Sequence, residues 1–335
     1  MLEIGTVKLE GKVALAPMAG VSDSPTRQIT RKMGSAFSYT EFVSTDGISR
    51  GIQKTIDLFK FKPLERPIWF QIFGNKKNTI TEACKIIEEL EPDVIDLNMG
   101  CSVSKVAHKG SGAGLLRDPH YVGSILESMA KSVRVPITAK IRIGWDHKNL
   151  NYREIVHILQ ESGVKMISVH GRTKMMGYTG KADWNIIGEI KSFAKVPIWG
   201  NGDVTSYAEA LEKIKCTNVD GVLVGRGAIG NPWLFSGLEK ADLEFSEIKL
   251  KILEHLNLML EFYGEQGLIL FRKHLVRYLA GSNGTEKLKN MLLTETNIDR
   301  YREILESYEP SEELAQTTMQ QLSITCESYR EGAII

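Results

Sequence analysis

Residues Val94–Pro119 read VIDLNMGCSVSKVAHKGSGAGLLRDP. The stretch contains an apolar run with polar residues and glycines after it, a pattern that recurs along the first two thirds of the chain. A short apolar run, Val94–Asn98, carries Asp96 as its one charge, and after Met99 the chain continues with Gly100 and Cys101. A basic, glycine-rich segment comes next. A reactive side chain just beyond a buried strand, followed by a loop of this kind, is a common way to build a functional site. The stretch therefore predicts a buried strand with a site at its carboxyl end.

Similar apolar runs recur along the first two thirds of the chain and alternate with segments of helical periodicity. The other predicted strands are Val13–Met18, Phe37–Val43, Ile68–Phe73, Ile137–Ile143, Met166–His170, Ile198–Asn201 and Gly221–Val224. The predicted helices between them include Ile80–Leu90, Val122–Val133, Ile155–Ser162, Ile186–Phe193 and Ala208–Ile214. Because most strands are apolar on both faces, the pattern predicts parallel strands that are covered by helices.

Two α/β architectures fit eight such strands: an open doubly wound sheet and a closed (β/α)₈ TIM barrel. The strand region spans about 235 residues, close to the usual barrel size of about 250. Polar residues or glycines follow nearly every strand, whereas a doubly wound sheet concentrates them at one switch point. The barrel is therefore favoured, and we predict a barrel domain over residues 1–240.

The composition changes after Pro232–Phe235, where strand patterns stop and apolar stripes at helical spacing take over. Thr296-Asn297 precedes the last stripe and is a plausible helix cap. We predict a separate all-helical domain over residues 245–335, with the order of the tail after Pro310 undecided.

Composition excludes several classes of protein. The formal net charge of +1 gives no global attraction to nucleic acid or membranes, so any such partner needs a local patch. The cysteines, Cys84, Cys101, Cys216 and Cys326, are widely spaced, which predicts neither a disulfide framework nor a structural metal and favours a reducing compartment. No apolar run approaches the roughly 20 residues of a membrane span. We expect a cytoplasmic monomer without metal.

The last two strand ends have the most specific pattern. Gly200–Asp203 and Gly225–Gly227 follow the seventh and eighth strands, where many barrels bind phosphate through backbone N–H groups. Gly225–Gly230 also matches GxGxxG. A dinucleotide-binding fold is nevertheless excluded, because seven strand–helix cycles precede this motif and no strand ending in an acid follows it. Both loops together favour phosphate binding over simple tight turns.

Lys140 and Cys101 are the two candidates for chemistry. Lys140 lies in an otherwise apolar strand, and a buried cation is costly unless it meets an anion or is used as an imine-forming amine. Both options stay open from the residues alone. Cys101 would be mainly protonated at neutral pH with an ordinary thiol pKa of about 8.5, which suits a proton donor. A nucleophilic role would need a neighbouring base, for which His108 is a candidate.

The motifs together resemble one family, the flavin-dependent tRNA-dihydrouridine synthases of bacteria. The residues that carry the resemblance are APMAGVSD (16–23), QIFG (71–74), DLNMGCSVSKVAHKGSGAGLL (96–116), AKIRIGWD (139–146), VHGRT (169–173), GNGDV (200–204), GVLVGRGAIGNPWLF (221–235) and FRKHLVRYLAG (271–281). Single motifs are weak, but the ordered set is specific. The resemblance implies a TIM-barrel enzyme that reduces uridine to 5,6-dihydrouridine in tRNA, with FMN as cofactor and NADPH as reductant.

Carried over position by position, the resemblance also implies roles for individual residues. Hydride from reduced FMN would reach carbon 6 of uracil, and Cys101 would protonate carbon 5 as the catalytic acid. Asn98 and Arg142 would contact the substrate. The residues implied in cofactor binding are Pro17, Met18, Ala19, Gln71, Lys140, His170, Asn201, Gly202, Asp203, Gly225 and Arg226.

The helical domain is the expected partner surface for tRNA. Arg272, Lys273 and Arg277, with Lys287 and Lys289 nearby, would provide its basic contacts. Two other functions compete with this one. The first is a Schiff-base barrel aldolase that uses Lys140 as its imine lysine. The second is a tRNA-binding protein without catalysis.

Overall fold

The computed structural model describes residues 1–310, and the tail after Pro310, with Cys326, lies outside the described residues. The described chain divides into two compact units, with the boundary between Leu238 and Glu239. The strands are β1 (Leu2–Ile4), β2 (Val7–Leu9), β3 (Val13–Leu15), β4 (Ser38–Tyr39), β5 (Val43–Ser44), β6 (Ile68–Phe73), β7 (Val94–Met99), β8 (Ile137–Arg142), β9 (Ile167–His170), β10 (Ile198–Asn201) and β11 (Gly221–Val224). The helices are α1 (Ser24–Lys32), α2 (Thr45–Ser49), α3 (Gln53–Ile56), α4 (Lys77–Glu88), α5 (Ser104–Ala107), α6 (Pro119–Ser132), α7 (Tyr152–Glu161), α8 (Trp184–Phe193), α9 (Tyr207–Thr217), α10 (Phe245–Tyr263), α11 (Gln266–Leu279), α12 (Glu286–Thr294) and α13 (Ile298–Ser307).

The first unit is a parallel barrel, as the sequence predicted. Its strands follow the order β3-β11-β10-β9-β8-β7-β6-β4, and each hydrogen-bonded neighbour in this series is parallel. The ring is completed near β3 and β4 by a hydrogen bond of 2.9 Å from Ala36 N to Val13 O. The (β/α)₈ TIM barrel is therefore confirmed, and the open doubly wound sheet is wrong.

The register of the barrel gathers the polar strand ends at one edge. Asn98 of β7 is level with Lys140 of β8, and Arg142 of β8 is level with His170 of β9. His170 is in turn level with Asn201 of β10. In a TIM barrel the carboxyl ends of all strands open at the same face, where active sites are built.

The opposite end of the barrel is filled with large apolar side chains. Phe37 packs between Trp69 and Trp199. The centroid of its ring is 4.1 Å from that of Trp69 and 4.8 Å from that of Trp199. Ile4 and Leu9 of the antiparallel β1–β2 hairpin join this cluster. Aromatic burial of this size contributes strongly to stability. A ligand would therefore enter from the carboxyl end.

The structure differs from the sequence prediction at the second barrel strand. The predicted strand Phe37–Val43 is two short strands, β4 and β5, which both pair with β6. Between them, the hydroxyl group of Thr40 accepts a hydrogen bond of 3.0 Å from Gln71 N, so a side chain replaces part of the backbone ladder. The β1–β2 hairpin was not predicted either.

The second unit, as far as residue 310, consists of α10–α13 and a short 3₁₀ turn at Lys240–Asp242. Ile252 and Leu256 of α10 and Phe271 and Leu275 of α11 are buried, in agreement with the predicted stripes. Asn297 caps α13 by accepting a hydrogen bond of 2.9 Å from Arg300 N, which confirms the predicted cap. Among residues 1–310, no helix has both the length and the apolar character that crossing a membrane requires.

Candidate active site at the carboxyl end of the barrel

Lys140 is a buried cation at the carboxyl edge of the barrel. Its Nζ donates a hydrogen bond of 2.9 Å to Asn201 Oδ1, and the Asn201 amide is oriented by a bond of 2.8 Å from Nδ2 to Leu223 O. Loss of hydration lowers the pKa of Lys140 to about 7, and the charge of Arg142 acts in the same direction while Asp96 opposes it. Lys140 forms no ion pair with any residue in the described part of the chain. A neutral amide partner leaves ammonium donors available to an anionic ligand.

His170 and Arg172 form a second polar pair beside Lys140. Arg172 Nη1 lies 3.3 Å from His170 Nε2, and since a guanidinium only donates, Nε2 must accept. Burial lowers the pKa of His170 well below its usual value, and the charges of Lys140, Arg142 and Arg172 add to this effect. His170 is therefore a neutral imidazole with its proton on Nδ1, and it can donate a hydrogen bond from that atom.

Asp203 contacts two arginines with its carboxylate. Its carboxylate accepts bonds of 2.7 and 2.8 Å from Arg172 Nη2 and lies 3.5 Å from Arg226 Nη2. Although burial opposes the shift, the backbone N–H of Ala182 and the Arg172 guanidinium hold the pKa of Asp203 below its ordinary range. A carboxylate in this role would not contact a phosphate itself. Any contribution of Asp203 to anion binding would come from its backbone N–H.

The two glycine loops differ in the room that they leave for a side chain. A Cβ on Gly202 would collide with Ala182 and lie 3.2 Å from the His170 ring, so only glycine fits there. A Cβ on Gly225 would make ordinary van der Waals contacts, 3.7 Å from Met18 Sδ and 3.9 Å from Ala16 Cβ. Arg226, beside it, is exposed and lies over the Tyr178 ring at 5.0 Å. The loops thus present backbone groups and an exposed cation, and the contact of 3.5 Å between Asp203 and Arg226 brings the two loops together.

The loop after β3 contributes backbone rather than side-chain chemistry. Met18 N donates to Ser22 Oγ at 3.0 Å, and Met18 O accepts from the N–H of Val21 and Ser22. Glu41 accepts a hydrogen bond from Gly20 N. These contacts fix Pro17, Met18 and Ala19 as a partly exposed rim next to Gly225.

Cys101 is half-buried directly after β7, and Asn98 holds its backbone. Asn98 Oδ1 accepts hydrogen bonds from Gly100 N at 3.1 Å and from Cys101 N at 2.9 Å. Burial raises the pKa of the Cys101 thiol, while the backbone N–H of Val103 and the charge of Arg142 partly oppose this shift. The expectation of an ordinary thiol pKa is therefore wrong, and the thiol is held more firmly in its protonated form. The His108 ring contacts Trp145, with centroids 6.0 Å apart, and is exposed.

Arg142 ties the Cys101 segment to the loop after β9. Its Nε donates to Gly100 O at 2.8 Å, and its Nη1 donates to Thr173 O at 2.7 Å and to Gly177 O at 2.9 Å. Burial lowers the pKa of this guanidinium to about 10, so it remains charged at neutral pH. The side chain was predicted to contact substrate, and the structure shows it holding two loops of the site together.

Gln71 belongs to a buried polar chain that the sequence did not reveal. Its Nε2 donates to Asp96 Oδ2 at 2.8 Å, and its Oε1 accepts from Asn98 Nδ2 at 2.8 Å. Sequence analysis noted Asp96 but gave it no role, as it gave none to Arg172. The signal was nevertheless present, since each is a charged residue within or directly after an apolar strand.

The basic residues predicted to contact tRNA lie in the second unit. Arg272 is partly buried, and its Nη2 donates to Glu295 O at 3.1 Å, which links α11 to the segment between α12 and α13. Lys273 and Arg277 are exposed and lie four residues apart on α11, which places them on one helix face. Lys287 is exposed as well, whereas Lys289 pairs with Glu286 at 2.5 Å.

Comparison with known proteins shows the family of this chain. The sequence matches the family model described as dihydrouridine synthase (Dus) over residues 14–315. The chain belongs to the dihydrouridine synthase family. It is 36% identical over 297 residues to tRNA-dihydrouridine synthase B of Pseudomonas putida, covering 86% of this chain and 88% of that protein. It is 35% identical over 293 residues to a probable tRNA-dihydrouridine synthase of Rickettsia bellii, covering 84% and 89%. As a member of this family the chain is an oxidoreductase.

Solved structures of low identity support the fold of this dihydrouridine synthase. Histamine dehydrogenase from Rhizobium sp. 4-9 matches with a TM-score of 0.55 and 12% identity, covering 77% of this chain and 50% of that one. A 2-naphthoyl-CoA reductase complex matches with a TM-score of 0.54 and 11% identity, covering 70% and 50%. Within residues 1–310 there is no group of three or more His, Cys, Asp or Glu side chains that could hold a metal ion.

Proposed function

We propose that this dihydrouridine synthase binds FMN at the carboxyl end of its barrel, takes reducing equivalents from NADPH, and reduces uridine in tRNA to 5,6-dihydrouridine. The observation that supports this proposal most strongly is Lys140. It is a buried ammonium whose hydrogen-bond partner, Asn201, is a neutral amide. Burying a cation costs several kcal/mol unless an anionic group compensates for the lost hydration. A cofactor that becomes negatively charged on reduction would provide that compensation.

The residues at the barrel mouth fit the parts of FMN. Gly202, Gly225 and Arg226 offer backbone N–H groups and an exposed guanidinium for the phosphate. Lys140 and neutral His170 offer donors for the ring system, and Met18 with its neighbours provides an apolar rim. Gln71 is fully buried and already bonded to Asp96 and Asn98, so its contact with the ring would use a remaining amide donor or lone pair. Asp203 would act through its backbone and through the two arginines that it orients.

Bound and reduced FMN would supply the hydride that reaches carbon 6 of uracil. The chain supplies the proton. Cys101 Sγ–H would donate to carbon 5, a role that the raised pKa of this thiol favours because the donor is protonated throughout the neutral range. Asn98 and Arg142 hold the backbone of Gly100 and Cys101 so that the thiol is presented at the mouth. Arg142 would thus serve the substrate mainly through the loops that it holds.

The substrate is proposed to be tRNA because the relatives named above are tRNA-dihydrouridine synthases. Chemistry on a base requires that base to leave its stack, so the protein must also hold the surrounding RNA. We propose residues 245–335 as the tRNA-binding domain, with Lys273 and Arg277 as phosphate contacts. The expected contribution of Arg272 is smaller, since its guanidinium already donates to Glu295 O.

Two other functions remain as alternatives, and both are less well supported. An imine-forming aldolase would also need a lysine with a pKa near 7, but it leaves the two glycine loops and the family match without explanation. A tRNA-binding protein without catalysis would have no use for a buried cation and a protonated thiol at the carboxyl ends of neighbouring barrel strands. Each alternative predicts a colourless protein.

A visible spectrum of the purified protein tests the cofactor assignment. We expect flavin absorption, bleaching on addition of NADPH, and release of FMN on denaturation. Lys140→Met should lower FMN occupancy, whereas Lys85→Met, at an exposed position on α4, should not. A colourless protein that FMN cannot reconstitute would contradict the proposal. Borohydride trapping of a carbonyl substrate on Lys140 would support the aldolase instead.

A further inference from the structure

Asp96 is a fully buried carboxylate inside the barrel. It lies two positions before Asn98, whose side chain binds the backbone of Gly100 and Cys101, called the reactive loop below. Its Oδ1 accepts from Thr138 Oγ1 at 2.5 Å and its Oδ2 from Gln71 Nε2 at 2.8 Å, and the Tyr39 hydroxyl also bonds to it. Burial raises the pKa of Asp96 to about 6, and these donors limit the rise. The group is therefore mainly an ionised carboxylate at pH 7 and above.

An ionised carboxylate can only accept hydrogen bonds, and this fixes the direction of every bond that follows. Gln71 must turn its NH₂ towards Asp96, which leaves its Oε1 facing Asn98. Asn98 must then turn its NH₂ towards Gln71, which leaves its Oδ1 facing the reactive loop. Asn98 Oδ1 can therefore accept from the N–H groups of Gly100 and Cys101, as the distances of 3.1 and 2.9 Å show.

We propose that Asp96 is a positioning residue for Cys101: through Gln71 and Asn98, its negative charge sets the amide orientations that hold the backbone N–H of Cys101. The proposal rests on the proposed function for its catalytic consequence, since Cys101 is there the proton donor. The chain of orientations itself depends only on which groups donate and which accept.

An amide in place of the Asp96 carboxylate no longer fixes which end of the Gln71 and Asn98 amides donates and which accepts. In Asp96→Asn, the new side chain can turn either its oxygen or its nitrogen towards Gln71, because the Thr138 hydroxyl can donate or accept. In one of these orientations Gln71 and Asn98 must both flip, and Asn98 then presents NH₂ to the N–H groups of Gly100 and Cys101. Two donors facing each other leave these amides without a partner, which costs free energy in a buried site.

Hydrogen exchange at the amides of Gly100 and Cys101 tests the proposal directly. We expect exchange about tenfold faster in Asp96→Asn than in the wild type, because the loop amides lose their acceptor for part of the time. Thr138→Val is the matched control, and both variants are compared at pH 8 because loss of the Thr138 donor raises the pKa of Asp96 further. Thr138→Val deletes a hydrogen bond to the same carboxylate but leaves the direction unchanged, so exchange should stay within about twofold. Equal protection in Asp96→Asn and Thr138→Val, both folded, would overturn the proposal.

Moving the carboxylate from position 96 to position 98 provides a second, independent test. In the double variant Asp96→Asn/Asn98→Asp, the carboxylate moved to position 98 still accepts from Gly100 and Cys101. Gln71 turns its NH₂ towards that carboxylate, and the amide introduced at position 96 donates to Gln71 Oε1. Every donor then has an acceptor, and the Gln71 amide has the opposite orientation to that in the wild type. In Asn98→Asp alone, by contrast, Gln71 has a carboxylate on both sides, and its Oε1 must face one of them.

We expect the double variant to regain wild-type exchange at both loop amides and to melt above both single variants. The reason is that Asn98→Asp places a carboxylate on both sides of Gln71 and Asp96→Asn permits an orientation in which two donors face each other, whereas the double variant pairs every group. Failure of the double variant to regain protection would count against the proposal.

Steady-state kinetics test whether Asp96 affects catalysis as well as the hydrogen bonds of the loop amides. Asp96→Asn should lower kcat about 10- to 100-fold, since small misplacement of a reacting group costs this much, with KM for tRNA within about threefold. If the wild-type protein makes no dihydrouridine, the proposed function fails, and the exchange experiments still decide the role of Asp96. If exchange changes but kcat does not, Asp96 sets the amide orientations without serving catalysis, and the catalytic consequence of the proposal is overturned.

Discussion

Lys140 illustrates how a single buried charge connects stability with function. Its folded-state pKa of about 7 lies below the value of about 10.4 for a lysine in water, so between these values the unfolded chain binds a proton that the folded chain has released. Because Lys140 binds a proton when the chain unfolds, unfolding is favoured most strongly at the lower end of this pH window. The free energy of unfolding should therefore rise with pH across this window.

The prediction is best tested on cofactor-free protein. Relative to Lys140→Met, the wild type should gain up to about 1.4 kcal/mol in free energy of unfolding per pH unit between pH 7 and 10. Urea denaturation at several pH values measures this difference. Lys85→Met, in which an exposed ammonium is lost, should show the wild-type dependence. Parallel curves for wild type and Lys140→Met would mean that Lys140 is not desolvated.

Gly112 permits the close contact between the loop and Cys101. It has a φ of 57°, and a Cβ would lie 2.9 Å from Cys101 Cβ and 3.1 Å from Cys101 O. Gly51 is a matched control, because its φ of 64° carries the same backbone strain while a Cβ there meets nothing within 4 Å. Gly112→Ala should reduce kcat about tenfold or more by displacing the thiol, whereas Gly51→Ala should cost only about 1–2 kcal/mol of stability. Equal kcat in both variants would contradict this account.

Individual site residues were only partly predictable from sequence. Lys140, Cys101 and the glycine loops were identified because a charge, a thiol or a glycine at a strand end is unusual in itself. The orientations of Gln71 and Asn98 were not, because they depend on which donor faces which acceptor across neighbouring strands. The raised pKa of Cys101 was missed for a similar reason, since burial is a property of the packed loop.

At the scale of elements, α10 and α11 share a buried histidine pair. His255 Nδ1 lies 3.1 Å from the Tyr278 hydroxyl, and the His255 and His274 ring centroids are 4.6 Å apart. Burial lowers the pKa of His255 well below its usual value, and the charges of His274, Lys273 and Lys251 act in the same direction. The folded helices thus contain neutral His255 at a pH where the unfolded chain would bind a proton.

The helical unit should therefore lose stability as the pH falls below about 6.5, by up to about 1.4 kcal/mol per pH unit for His255. His255→Gln keeps a hydrogen-bond partner for Tyr278 but cannot titrate, so its loss of stability between pH 7 and 5 should be smaller. Urea unfolding followed by circular dichroism measures this, with the exposed His157→Gln as control. An identical loss in all three proteins would show that His255 does not carry the effect.

Elements were more predictable than side-chain contacts. The periodicity located the apolar runs of the barrel strands, because burial on both faces of a parallel strand leaves a clear apolar run, and it located α4, α6, α7, α8 and α9. It did not locate α1, α2, α3 or α5. The interrupted strand around Thr40 was missed, since its break depends on a hydroxyl that bonds to Gln71 N on the neighbouring strand. The β1–β2 hairpin was missed because three-residue strands give too short a pattern.

At the scale of the whole molecule, the near-zero net charge means that tRNA binding must depend on local cations. Lys273→Glu/Arg277→Glu should weaken tRNA binding and reduce the salt dependence of the association constant by about one unit of slope per lost contact. KM for tRNA should rise while NADPH still reduces the flavin. Lys85→Glu, on the barrel, is the control for charge alone. Unchanged affinity and slope would remove this helix face from the RNA interface.

The central claim is that the barrel reduces uridine in tRNA and that Cys101 completes the reaction. Its most direct test is the dihydrouridine content, by mass spectrometry of digested nucleosides, of tRNA lacking dihydrouridine after incubation with FMN-loaded protein and NADPH. We predict dihydrouridine with the wild type and with Cys216→Ser, at an exposed thiol, and a rate about 10²- to 10⁴-fold lower with Cys101→Ser, although NADPH still reduces its flavin. Absence of dihydrouridine with the FMN-loaded wild type, or an undiminished rate with Cys101→Ser, would contradict the account.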